Sequence, residues 1–321
     1  MSKPFFSIVT AVKDQLGFLK ETASTVLNQT FEDWEWIVVD DGSEEPVSDY
    51  LLKLKDPRIF VFRNEKCERQ TKSLNFGIKK ANANWIVRVD ADDLLYPSRL
   101  QKTFEVIESF ENDPTKCPLI FSDYDVALED GSLLTSIHFR TPIDEEFYSY
   151  LRTKNNLICH PSVTFFKKAP SGEIYQYDES LKNAQDYALW KRILADHGER
   201  FYHISDTLIR YRLVRDSLSG AWIEEQKNEL IIIQGKKPKR IFNSDQVKKI
   251  LSLKPNEKEG MYAFRTLYYS FVGSLRSKAP KLKTLAKTLQ YPPVLAKSFF
   301  YYGLWPFRSH VKPILFNRIY K

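Results

Sequence analysis

Cysteine is scarce in this 321-residue chain: Cys67, Cys117 and Cys159 are the only three, odd in number and without metal-ligand spacing. That argues against a disulfide framework or a thiolate zinc site and fits a reducing, cytoplasmic setting. Glycine is scarce as well. The 11 glycines form neither a Walker-type loop nor a Rossmann fingerprint, so no glycine-rich backbone nest is expected to neutralise phosphates. Long apolar runs are missing too, since the stretch from Phe5 to Val12 is interrupted by Lys13 and Asp14, too early for a spanning helix or a signal-peptide layout. Acidic residues are absent after Glu259, where eleven Lys and Arg follow. The formal net charge of +7 therefore divides into +11 for that tail and −4 for residues 1–259.

What is present is enough apolar side chain, 43% of residues with 14% aromatic, to build one large domain with an appendage. Strand and helix patterns alternate from the N-terminus. Phe5 to Val12 reads as a strand, Leu19, Ala23, Val26 and Leu27 as one face of a helix, and Trp34 to Val39 as a second strand. Ile59 to Phe62 is a third strand, Leu74, Ile78 and Ala81 mark a helix, and Trp85 to Val89 is a fourth strand. Pro97 opens a helix carrying Leu100, Phe104 and Ile107, and Leu119 to Phe121 returns as strand. The expected fold is α/β: a mostly parallel central sheet flanked by helices, with a helical C-terminal appendage.

Two acidic clusters stand where such a sheet collects ligands, beyond the carboxyl ends of its strands. Asp40-Asp41-Gly42-Ser43 ends the second strand, and Asp90-Ala91-Asp92-Asp93 ends the fourth. In extended chain Asp90 and Asp92 point the same way, and Asp93 begins the turn. Oxygen ligands of this kind suit Mg²⁺ or Mn²⁺, ions that complete their shells with water and substrate phosphates. A substrate carrying a diphosphate is the expectation. An aspartate cluster after a strand also makes an ordinary solvated turn, and the order of the surrounding segments weighs against that reading.

Those segments are Phe6-Ser7-Ile8-Val9-Thr10, Leu27-Asn28-Gln29-Thr30-Phe31, Glu35 through Ser43, Leu74-Asn75-Phe76-Gly77-Ile78, and Asp90 through Asp93 with Pro97-Ser98-Arg99-Leu100. His160-Pro161-Ser162, Asp186-Tyr187-Ala188-Leu189-Trp190 and Tyr211-Arg212 follow. In this order, over about residues 4 to 219, the chain resembles an inverting family 2 glycosyltransferase with the GT-A nucleotide-diphospho-sugar transferase fold. The resemblance implies that Thr10 and Asp40 line the nucleotide pocket, Asp40 accepting from the base. It further implies a divalent cation, Mn²⁺ or Mg²⁺, on Asp92 with Asp93 assisting, and Asp90 on ribose or metal. Asp186, in the first turn of an amphipathic helix that stops near Gly198, is the implied general base. An aspartate there also suits the helix dipole or a cap. Arg212, Lys72, Arg88 and Arg99 are candidate phosphate contacts, and His160 is a candidate for orienting donor or acceptor. The implied donor is a nucleotide sugar, UDP-sugar first, and the implied acceptor a glycan or lipid-linked hydroxyl.

Three positions depart from the family pattern: Val12 where an aromatic is common, Gln185 where a glutamate is common beside the base, and Val214 where a histidine is common. They leave open a non-catalytic, glycan- or membrane-binding relative. A metal-dependent phosphohydrolase or nucleotidyltransferase is disfavoured, because the first strand ends in Thr10 to Lys13, with neither a nucleophilic aspartate nor a glycine-rich loop. The expected boundary divides residues 1–222, catalytic, from residues 223–321, basic and aromatic-rich. That tail suits either an anionic membrane surface, which would place the protein peripherally at the inner face of the cell membrane, or packing of its aromatics on the catalytic domain. It carries no recognisable nucleic-acid module.

Overall fold

A computed structural model describes residues 3–139, 142–153, 156 and 158–214, and these fall into two compact units. The first takes in 3–125 and 138–212; the second has 126–137 and 213–214 among the described residues. The expected boundary at 222 and the basic tail lie outside the described residues.

The elements follow in chain order: β1 (Phe6–Val12), α1 (Leu16–Leu27), β2 (Trp34–Asp40), α2 (Ser48–Lys53), β3 (Ile59–Arg63), α3 (Gln70–Lys80) and β4 (Trp85–Arg88). Then come β5 (Leu94–Leu95), α4 (Arg99–Ser109), β6 (Leu119–Ala127), β7 (Leu133–Ile137) and α5 (Glu145–Thr153). A 3₁₀ turn at His160–Ser162 leads to β8 (Thr164–Phe166), α6 (Gln185–His197) and β9 (Phe201–Arg212). Across the sheet the order is β3-β2-β1-β4-β8-β6-β9-β5.

The expected strands and helices of the N-terminal half are present. β1, β2 and β4 are buried along their whole length, as the near-continuous apolar runs of a sheet covered on both faces require. β1 lies parallel to β2 and β4, and β2 lies parallel to β3. α3 approaches β1 and β2 so closely that a Cβ on Gly77 would stand 2.6 Å from Val9 Cγ1 and 3.4 Å from Val39 Cγ2. α6 buries Leu189, Trp190, Ile193 and Leu194 and stops at Gly198, whose φ of 74° with ψ of −164° is a conformation essentially reserved for glycine.

Two registers position the site. Val12 pairs with Asp40 across the β1–β2 ladder, while Val9 pairs with Arg88 across β1–β4. Carrying that second register forward three residues brings Ala91 level with Val12, so both acidic clusters share one edge. From β4 onward the pairing changes sense: β8 runs antiparallel to β4, with Val87 opposite Thr164. Extended by three residues, this ladder sets Asp90 opposite the His160–Ser162 turn. β5, only two residues long, pairs Leu94 with Arg210, which carries Arg212 to the start of the acidic turn.

Candidate active site

Asp90 is the meeting point of the site. Its carboxylate accepts from Arg88 at 3.1 Å (Nε) and 3.3 Å (Nη2), and Oδ2 lies 2.6 Å from His160 Nε2. Burial by itself would raise the Asp90 carboxyl, but Arg88 and then His160 outweigh it and hold the group well below the usual carboxylate range. The other ring nitrogen of His160, Nδ1, faces Asp186 Oδ2 at 3.7 Å. One imidazole thus stands between the carboxylates that end β4 and begin α6.

Asp93 is fully buried, with Oδ1 accepting the Arg212 backbone N–H at 3.0 Å and Oδ2 without a hydrogen-bond partner among the described residues. Burial and the adjacent charges of Asp92 and Asp90 push its carboxyl well above the usual range. Burial and the same field of carboxylates, Asp93, Asp186 and Asp90, push the Cys159 thiol up as well. Against this negative charge stands the buried guanidinium of Arg88, held over the Tyr177 ring at 5.3 Å. The ligand atoms of Asp90, Asp93 and His160 lie within 4.8 Å of one another, a group able to hold a metal ion. Buried carboxylates with one orphaned oxygen are the donor set a hard divalent cation would satisfy.

Asp186 occupies the first turn of α6, as the sequence predicts, and accepts from Asn156 Nδ2 at 2.9 Å and from the Tyr187 N–H at 2.7 Å. It remains 15% exposed, open to a reactant. Asp92 is half-buried and accepts from Gln15 Nε2 at 3.4 Å; it stands outside the Asp90, Asp93, His160 group.

The remaining predicted residues are engaged within the protein. Thr10 is fully buried, its hydroxyl accepting from Trp36 Nε1 at 3.0 Å. Asp40 accepts from the Ser43 N–H at 2.8 Å, the Val47 N–H at 3.2 Å and Arg63 Nη1 at 2.6 Å, holding the turn that leads into α2. Asp41 ties down the following loop through Asn64, Glu68 and Ser73. The Arg212 guanidinium is buried and forms a two-pronged pair with Glu21, at 2.7 and 3.2 Å. Arg99 is buried, has no acidic hydrogen-bond partner among the described residues, and donates to Thr103 Oγ1, Ser162 O and Thr164 Oγ1. It therefore anchors the turn that presents His160. Lys72 pairs with Glu68 at 3.0 Å beside a cleft of about 300 Å³ that Cys67, Arg69, Thr71 and Glu179 also line. Glu21 and Asn156 are partners that no local sequence pattern announces.

The sequence matches the glycosyl transferase family 2 profile over residues 7–174, more than half of the chain. This chain is a family 2 glycosyltransferase. The glycosyltransferase is 30% identical over 231 residues, 71% of its own length and 77% of the relative's, to an uncharacterised glycosyltransferase, MJ1057, of Methanocaldococcus jannaschii. It is 26% identical over 225 residues to TuaG of Bacillus subtilis, described as a putative teichuronic acid biosynthesis glycosyltransferase, covering 68% of this chain and 82% of TuaG. Its fold matches Staphylococcus aureus TarS 1–349, solved with UDP-GlcNAc, at a TM-score of 0.54 and 17% identity over 89% of this chain and 79% of that one. The mannosyltransferase PcManGT of Pyrobaculum calidifontis, solved with GDP-Man and Mn²⁺, matches at 0.53 and 15% identity over 92% and 83%. The fold of the family 2 glycosyltransferase is thus GT-A, with a mixed sheet whose parallel half carries the acidic edge.

Proposed function

We propose that this enzyme transfers a sugar, with inversion, from a nucleoside-diphosphate sugar to a hydroxyl of a glycan or lipid-linked acceptor in surface polysaccharide or glycoconjugate synthesis. The observation that carries this reading is the convergence of Asp90, Asp93 and Asp186 on His160 at the carboxyl edge of the parallel strands. The described roles of TuaG in teichuronic acid synthesis and the sugar nucleotides held by TarS and PcManGT support it. A UDP-sugar is the first donor to test.

Asp90 and Asp93, with Asp92 beside them, would hold a divalent cation. Once bound, it would stabilise the negative charge that grows on the departing diphosphate. Asp186, in the first turn of α6, takes the proton of the attacking hydroxyl as bond formation acidifies it. Asn156 holds Asp186 in orientation from the other side. Asp40 shapes the pocket for the nucleotide through the turn it caps, and Thr10 does so through Trp36. The basic tail attaches the enzyme to the inner face of an anionic membrane, near a lipid-linked acceptor. Full-length protein should sediment with anionic vesicles and remain free of neutral ones; equal behaviour with both would remove this part of the reading.

The deciding experiment is a hydrolysis and thermal-shift screen of UDP- and GDP-sugars with Mn²⁺, Mg²⁺ or chelator, on wild type, Asp90→Ala and Asp92→Ala. Metal-dependent stabilisation and slow hydrolysis of one donor, lost in Asp90→Ala, is expected. No response to any donor with any metal would overturn the assignment in favour of a non-catalytic binding protein.

A further inference from the structure

The cation site proposed above has a nitrogen neighbour as well as oxygens. His160 Nε2 lies 2.6 Å from Asp90 Oδ2, and both belong to the group whose ligand atoms fall within 4.8 Å of one another. A second, independent feature also points to a ligand: Asp93 Oδ2 is completely buried and has no hydrogen-bond partner among the described residues. His160 is held firmly. Arg99 donates to the carbonyl of Ser162 at 3.0 Å and to Thr164 at 3.2 Å, fixing the C-terminal side of the turn, and the Tyr211 ring packs edge-on against the imidazole at 5.8 Å.

We infer that His160 is a ligand of this cation, completing an Asp90, Asp93 and His160 set, and that Asp186 orients it. The inference rests on the proposed function above and deepens it. Nε2 binds a metal only through its lone pair, so the ring proton must then sit on Nδ1. That nitrogen faces Asp186 Oδ2 at 3.7 Å, about 0.8 Å beyond hydrogen-bond length. A metal-bound histidine generally donates its other N–H to such a carboxylate, and removing the partner costs about 10- to 100-fold in metal affinity. Asp186 is then coupled to the cation through one ring: the carboxylate that receives the acceptor's proton also selects the tautomer that binds metal. An imidazole among oxygen ligands also biases the site away from Mg²⁺, which prefers oxygen and water, and toward Mn²⁺.

The test is Mn²⁺ binding to the full-length protein, alone and with UDP, followed by electron paramagnetic resonance of free and bound ion and pulsed measurement of ¹⁴N coupling. Wild type should bind Mn²⁺ with a ¹⁴N modulation that His160→Gln abolishes, with affinity falling about 10- to 100-fold and the preference over Mg²⁺ disappearing. Asp186→Leu should weaken Mn²⁺ binding while Asp186→Asn, which keeps an acceptor oxygen, should weaken it less. Mn²⁺ bound without ¹⁴N modulation in wild type would overturn the inference, a result that needs no variant to fold and leaves the glycosyltransferase reading intact. Absence of Mn²⁺ binding with or without UDP would overturn it too. Donor stabilisation persisting in chelator would then show that the reading of the donor site survives without metal.

Discussion

Asp90 Oδ2 and His160 Nε2 lie 2.6 Å apart although seventy residues separate them in the chain. The contact exists because β8 joins the sheet antiparallel to β4, so the turn preceding β8 falls beside the residues that follow β4. A charge cluster that is local in sequence thereby gains a distant imidazole, and through it reaches the first turn of α6.

Asp186→Asn should retain donor binding and lose most transfer, by about 10²- to 10⁴-fold in kcat, the contribution expected of a placed general base. The amide keeps the hydrogen bond geometry to the α6 N-terminus but cannot accept the acceptor's proton. Parallel measurements of donor affinity and single-turnover transfer check this; near-normal turnover would remove Asp186 from the chemistry.

Asp40→Ala should destabilise the fold by about 2–4 kcal/mol, because two buried backbone N–H groups and the Arg63 guanidinium lose their acceptor together. Denaturant titration measures the loss. A change within experimental error would mean that water or a neighbour replaces the carboxylate.

Gly77→Ala places a methyl 2.6 Å from Val9 Cγ1, a contact tighter than any relaxed core sustains. Overpacking of about 1–3 kcal/mol outweighs the gain in helix propensity of about 1 kcal/mol, so a lower Tm is expected. Val9→Ala in the same chain should recover part of the loss, the non-additivity expected of touching residues.

Cys67 is exposed, Cys159 half-buried and Cys117 buried, so Cys117 should react with a thiol reagent only after unfolding. Burial pushes Cys117 from its ordinary value of 9.0 up to about 12. Below pH 9 folded and unfolded chains both hold this proton, so it leaves stability unchanged. Between pH 9 and about 12 the unfolded chain releases it and the folded chain does not, so stability falls by on the order of 1 kcal/mol per pH unit. Burial pushes Tyr177 up to about 12 as well, from 10.0, which adds to the loss in the upper part of the window. Urea midpoints of wild type and Cys117→Val at pH 8 and pH 10.5 separate the thiol's share; an unchanged slope in the variant would show that the thiol contributes nothing.

The sequence alone makes legible the parallel half of the sheet, the helices carrying Leu19, Leu74 and Leu100, and the acidic edge, because strand-length apolar runs and helical periodicity repeat enough times to be read locally. It also determined that Asp186 begins a helix that Gly198 ends. α2, β5 and β8 are six, two and three residues long, too short to show a period, and β9 mixes buried and exposed positions without alternation. β5, β8 and β9 exist because a neighbouring edge offers hydrogen bonds, and only the assembled sheet provides that edge. Tertiary structure alone decided the partners of the site. It sealed Thr10 beneath Trp36, committed Asp40 to its turn, and joined Arg212 to Glu21, 191 residues away. It also set His160 between Asp90 and Asp186. A sequence supplies the charges, but which of them pair depends on which strand ends the register brings level, and Coulombic and hydrogen-bond energies act on that distance.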